Sequence, residues 1–107
     1  MNAVPALIRR YFALAGEADS DAYFALFAPD AVVEDEGRTH EGIAAIRAWR
    51  REVPLVSYEI TDVTQTPEGT VVTATITGDF PGSPFAGLRY RFEDYDDNQI
   101  RRLRIAP

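Results

Sequence analysis

Residues 26–37 read LFAPDAVVEDEG: a short apolar run, a Pro-Asp pair, and then three successive carboxylates at Glu34, Asp35 and Glu36. Acidic side chains are poor strand formers and repel one another, so a strand that ends in three of them needs a reason. Pro29-Asp30 reads as a turn and AVVEDE, 31–36, as the strand that follows. Side chains alternate along a strand, which puts Ala31, Val33 and Asp35 on one face and Val32, Glu34 and Glu36 on the other. If the small, apolar face looks into the domain, Asp35 goes inward with it. The two glutamates then stay in water.

Upstream of this stretch, Val4, Leu7, Ile8, Tyr11, Phe12, Leu14 and Ala15 form the one-sided stripe of a helix running from Val4 to Ala18. Pro5 fits its first turn. The run EADSD breaks it, and Ser20 or Asp21 caps a short second helix that reaches about Phe27. Downstream, GRTHEG turns the chain and leads through His40 into a third helix, GIAAIRAWRREV, with Ile43, Ile46, Trp49 and Val53 on one face. Everything after Pro54 reads as strand. LVSYEITDVTQT and TVVTATITGDF flank PEG, a hairpin in which Gly69 supplies the positive φ. FAGLRYRFEDYD and QIRRLRIA meet at a turn over Asp97-Asn98. Helices first and hairpin-linked strands after imply one α+β domain over residues 1–107, a cone-shaped curved antiparallel sheet wrapped around N-terminal helices. A sheet rolled in this way leaves a pocket at one end, where small ligands usually sit.

Composition narrows the chemistry. The net charge is −6, with 17 acids against 11 bases, and every base is arginine. That balance speaks against nucleic acid as a partner, because no basic stripe interleaved with aromatics is present. Arg9-Arg10, Arg50-Arg51 and Arg101-Arg102 read as solvated faces. There is no cysteine and a single histidine, His40, so thiolate, zinc and histidine-triad chemistries lose their ligands, and neither a metal nor a cofactor is expected. No apolar run is long enough for a membrane span and no signal-peptide pattern opens the chain, so no membrane partner is expected and the cytoplasm is the expected compartment. Ala-rich, Lys-free usage points to a GC-rich bacterial genome.

With those elements in place, RRYFALA…LFAPDAVVEDEG…GIAAIRAW resembles the first half of the bacterial ketosteroid isomerases. These belong to the nuclear transport factor 2-like superfamily, which includes a SnoaL-like polyketide cyclase branch. The LFAPDAVVED element is specific for the superfamily more than for the isomerase activity. The resemblance implies that Asp35 falls where those enzymes keep the carboxylate base that moves a proton between carbons. It likewise implies that Tyr11 falls where they keep the tyrosine that hydrogen-bonds the substrate oxyanion. Their third element, an aspartic acid kept protonated as a second donor, is missing. Counting along the penultimate strand puts Tyr90 there, and a phenol can also donate. The implied reaction class is cofactor-free proton transfer on a hydrophobic or cyclic carbonyl compound: isomerisation, aldol-type cyclisation or dehydration. Relatives of the fold pair through their open sheet faces, so a homodimer through an outer face bearing Val71, Thr73 and Thr75 is expected.

The remaining candidates form the pocket wall. Phe27, Val33, Trp49 and Tyr58 come from the helices and strands, and Phe92 shares a strand face with Tyr90 and Leu88. His40 is either a helix-entry residue or an acid–base group at the pocket rim. The loop GDFPGSPF, 78–85, either closes the pocket mouth with Phe80 and Phe85 or is a plain connector anchored by them. Each aromatic has an ordinary core reading beside the functional one, and Asp35 has a structural one, a turn-flanking acid paired with Arg38. The rival to an enzyme is a non-catalytic module that binds a hydrophobic ligand or only dimerises.

Overall fold

The computed structural model describes residues 4–16, 21–53 and 55–107. Helix α1 (Ala6–Ala15) begins directly after Pro5, which occupies the cap position with φ −54° and ψ 146°. Its ring fixes a φ compatible with helix entry, and its missing N–H costs nothing there. Leu7, Ile8, Tyr11, Phe12 and Ala15 are buried on one face, as the stripe demands. The proposed break at 17–20 and the Ser20 cap lie outside the described residues. Asp21 is the first residue of the one-turn α2 (Asp21–Phe24), where its charge suits the helix N-terminus.

Two boundaries near the acidic stretch differ from expectation. The second helix stops at Phe24, and β1 (Phe27–Asp35) starts at Phe27, so Pro29-Asp30 lies inside a strand. The pairing register of β1 shifts between Phe27 and Val32, and that irregularity accommodates a proline unable to donate to the ladder. The expected turn over GRTHEG shrinks to Glu36-Gly37, both with positive φ (53° and 77°), the combination a two-residue hairpin requires. Residues Arg38–Glu41 form β2, paired antiparallel with β1. His40 is therefore a strand residue opposite Val33, not part of a loop before the helix.

Helix α3 (Ile43–Glu52) follows, burying Ile46 and Trp49. Four strands complete the fold: β3 (Val56–Thr66), β4 (Gly69–Gly78), β5 (Phe85–Tyr95) and β6 (Ile100–Ala106). Gly69 closes the β3–β4 hairpin with φ 137°, and a Cβ there would run into the Phe92 carbonyl oxygen, so only glycine fits. The sheet order is β2-β1-β6-β5-β4-β3. Every pairing is antiparallel except β1 with β6, which run parallel. One face of this curved sheet carries Ala31, Val33, Val72, Ala74, Tyr90, Phe92 and Leu103, all buried beneath the helices. The opposite face carries Glu34, whose carboxylate pairs with Arg104 at 2.9 Å and keeps only 35% of its side chain exposed. Glu34 faces outward as the alternation requires, yet it is tied down and not freely solvated.

Candidate active site in the open end of the cone

Asp35 is the last residue of β1 and lies in register with Ile105 of β6 on the inner face. Helix α3 packs across β1 and β2 and brings Trp49 over it, with the indole Nε1 donating to Asp35 Oδ2 at 3.0 Å. The carboxyl is half-buried. Burial pushes its pKa up and nearby Glu36 pushes the same way, while the Trp49 hydrogen bond and His40 pull it down, and the net direction is upward. Arg38 stands across the ladder from Asp35, but among the described residues no ion pair joins them.

The carboxylate opens into a cavity of about 480 Å³, a volume suited to a ligand of two or three fused rings. Tyr11 from α1, Tyr58 from β3 and Tyr90 from β5 line it together with Asp35. The Tyr11 hydroxyl lies 3.5 Å from that of Tyr23. The rings of Tyr58 and Tyr90 pack 6.1 Å apart between centroids, and the Arg50 charge pulls the Tyr58 pKa down against the rise from burial. Desolvation raises the pKa of all four phenols. They therefore stay protonated at neutral pH and can act only as hydrogen-bond donors or acceptors, not as phenolates.

Among the sequence-predicted wall residues, Trp49, Tyr58, Phe80 and Phe85 line this cavity, as does Pro81. Phe27, Val33 and Phe92 do not line it. Phe27 packs against the rings of Tyr11 and Tyr23, Phe92 against Tyr11 and Phe12, and Val33 is fully enclosed, so these three are the floor beneath the site. His40 is outside the lining too, its ring tilted over Trp49 at 5.9 Å.

The sequence reading missed Arg50, which it had assigned to a solvated pair. Arg50 lines the cavity, donates from Nη2 to the Ala15 carbonyl at 2.8 Å, and lays its guanidinium 4.4 Å above the Tyr23 ring. A signal was present: positions 46, 50 and 53 fall at i, i+4 and i+7, so Arg50 rides the apolar stripe of α3 beside Ile46 and Val53. Val56, Ile76 and Leu88 complete the apolar wall. No group of three His, Cys, Asp or Glu side chains among the described residues could hold a metal ion.

Comparison with known proteins agrees with this architecture. The profile of the SnoaL-like domain family matches residues 8–103. The chain belongs to the SnoaL-like domain family. A proposed polyketide cyclase of Sinorhizobium meliloti superposes on this SnoaL-like domain with a TM-score of 0.84 and 38% identity, over 96% of this chain and 95% of that one. A protein of Catenulispora acidiphila with a ketosteroid isomerase-like fold, crystallised with trimethylamine, gives 0.80 at 20% identity, over 98% and 87% of the two chains. SalBIII, an epoxide hydrolase/cyclase-like enzyme of pyran ring formation in salinomycin, gives 0.71 at 22% identity, over 92% and 85%. The last two share the fold alone. No curated protein matches the chain. Among the described residues no helix is long and apolar enough to cross a membrane.

Proposed function

We propose that this SnoaL-like domain binds a carbonyl-bearing small molecule in the cavity and moves a proton at the carbon beside that carbonyl. Asp35 is the base, and the Tyr11 and Tyr90 hydroxyls are the donors to the enolate oxygen. One observation supports this above all: an upward-shifted carboxylate and protonated phenols line a single apolar cavity. A base shifted toward neutrality spends less energy losing its hydration when substrate enters, and it accepts a carbon-bound proton more readily. The developing enolate oxygen is met by hydroxyls already in place, in a site from which bound ligand excludes water. Trp49 holds the carboxylate in one orientation without neutralising it, which an arginine partner would do. The 38% identical relative being a proposed polyketide cyclase favours enolate chemistry of the aldol or cyclisation type within this class.

Several wider expectations belong to the same proposal. The chain acts as one domain over residues 1–107, in the bacterial cytoplasm, as a homodimer through the outer sheet face.

The test needs no knowledge of the natural substrate. A panel of cyclic ketones and 1,3-dicarbonyl compounds is incubated with the protein in D2O, and deuterium entering the carbon beside the carbonyl is followed by NMR. Wild type should accelerate exchange for at least one compound, and Asp35→Asn should lower that rate about 10²- to 10⁴-fold. Equal rates for both proteins would end the assignment of Asp35 as base.

A further inference from the structure

Arg50 is a cation in the cavity wall that proton transfer by Asp35 does not need, while Glu36 lines the wall beside Asp35. A guanidinium cannot be neutralised in a protein, so lining an apolar cavity with one is costly unless an anion meets it. Among the described residues no carboxylate pairs with Arg50. Its guanidinium meets the Ala15 carbonyl and the face of Tyr23, both neutral. Five donors with one carbonyl acceptor leave most of the fork uncommitted. Asp35 does not consume the charge either. Asp35 accepts from Trp49, whereas Arg50 is held on Ala15 and Tyr23, and among the described residues no ion pair joins the two.

The partners of Arg50 also fix its position. The Ala15 carbonyl is at the C-terminus of α1, where a cation is favoured, and Tyr23 supports the flat face of the guanidinium. Such a group is preorganised and loses little entropy on binding. Tyr58 adds a second polar atom on the same side. Its phenol stays protonated and presents an O–H to the cavity.

From this geometry we infer that Arg50 and Tyr58 form an anion-binding subsite, and that the ligand of the cavity is a carbonyl compound bearing a carboxylate. The carboxylate is held at Arg50 while the carbon to be deprotonated lies at Asp35. The wall is thus divided into a cationic end and a basic end, and a ligand with an anionic tail can enter in one orientation only. The inference rests on the proposed cavity being the ligand site, and it assigns Arg50 a role in binding and orientation, not in the proton transfer.

Calorimetric titration with 2-naphthoate and with its neutral isostere methyl 2-naphthoate tests the subsite without turnover. Wild type should bind the anion at least tenfold more tightly than the ester. Arg50→Gln should weaken naphthoate at least tenfold and the ester less than twofold. Because Arg50 also braces α1, Tyr58→Phe provides a variant that leaves the guanidinium and its helix contact in place. It should weaken naphthoate severalfold, again sparing the ester. Equal affinities in wild type, equal losses for both probes, or no saturable binding of either would overturn the inference. The deuterium-exchange assay reads Asp35 separately, so failed exchange with intact anion preference would refute the base and leave the subsite standing. The opposite pattern would refute only the subsite.

Discussion

Ala74 and Ile60 are direct partners across the β3–β4 ladder and face the same side of the sheet, yet Ala74 is fully buried and Ile60 is 37% exposed. The difference is position, not residue type. Ala74 lies on an interior strand beneath the helices, and Ile60 lies on β3, the edge strand. The same contrast extends across the molecule. Beneath α1 and α3, Val33, Phe92 and Leu103 are fully enclosed, while Phe85, which lines the cavity, keeps 37% of its surface. One inner face therefore serves two purposes. Where helices cover it, it is core. Where the sheet runs past them, the same apolar alternation becomes the wall of a cavity, and polar groups placed there face a ligand in place of other side chains.

The sharpest way to break this contrast is to truncate one apolar residue in each region. Leu103→Ala removes a fully enclosed side chain and should cost about 2–5 kcal/mol, read from urea midpoints at unchanged slope. Ile60→Ala should cost well under half of that, because much of its surface already meets water. Comparable losses would mean that β3 is covered in solution, as a dimer partner on that edge would do.

The next effect sits on the boundary between the regions. Trp49→Phe keeps most of the packing but removes the N–H that Asp35 accepts, and should cost about 1–2 kcal/mol at neutral pH. The Asp35 pKa should then rise further, measurable from the pH dependence of its carboxyl carbon by NMR. A fall, or no change, would show that the indole does not stabilise the ionised carboxylate.

Asp35 itself sets the third test, with a sign fixed by linkage. Its folded pKa is raised, chiefly by burial, so its favourable contribution is complete below the unfolded value of about 3.9 and is lost as pH rises through the folded one. At pH 7 the native state holds an ionised carboxylate it disfavours. Asp35→Asn should then be as stable as wild type or more so, by about 1 kcal/mol or less after screening by cavity water. The gap should vanish in acid. A variant less stable at pH 7, with the deficit closing in acid, would make Asp35 a structural ion-pair acid.

Smallest of all should be Arg38→Ala. Arg38 faces Asp35 in register without an ion pair, so stability and the Asp35 titration should both stay within about 0.5 kcal/mol of wild type. A larger change would restore the pairing that the structure lacks.

Alternation in LFAPDAVVEDEG favours Asp35 inward and Glu34 outward, because a strand has only two faces and Ala31 and Val33 mark the inner one. Val32 on the other face is apolar too, and the family resemblance is what selects between them. The helical stripe of α1 likewise put Tyr11 inside. These are local periodicities, set by backbone geometry and readable over a few residues. Strand status for Phe27–Asp30 and for Arg38–Glu41 was not readable in this way. Pro29 and the GRTHEG composition favour turns locally, and only the ladder with β6 and the Glu36-Gly37 hairpin override them.

What sits next to Asp35 is a further step removed from sequence. Trp49 reaches it across 14 positions only because α3 folds back over β1, and Arg50 finds Ala15 across 35. The parallel pairing of β1 with β6, which puts Ile105 beside Asp35, joins residues from opposite halves of the chain. Sequence pattern fixes which way a side chain points, because that depends on a neighbour one or four residues away. Which groups meet in the cavity, and whether a carboxylate there finds an indole, an arginine or water, is decided by long-range packing, where burial and geometry set the energy of each charge.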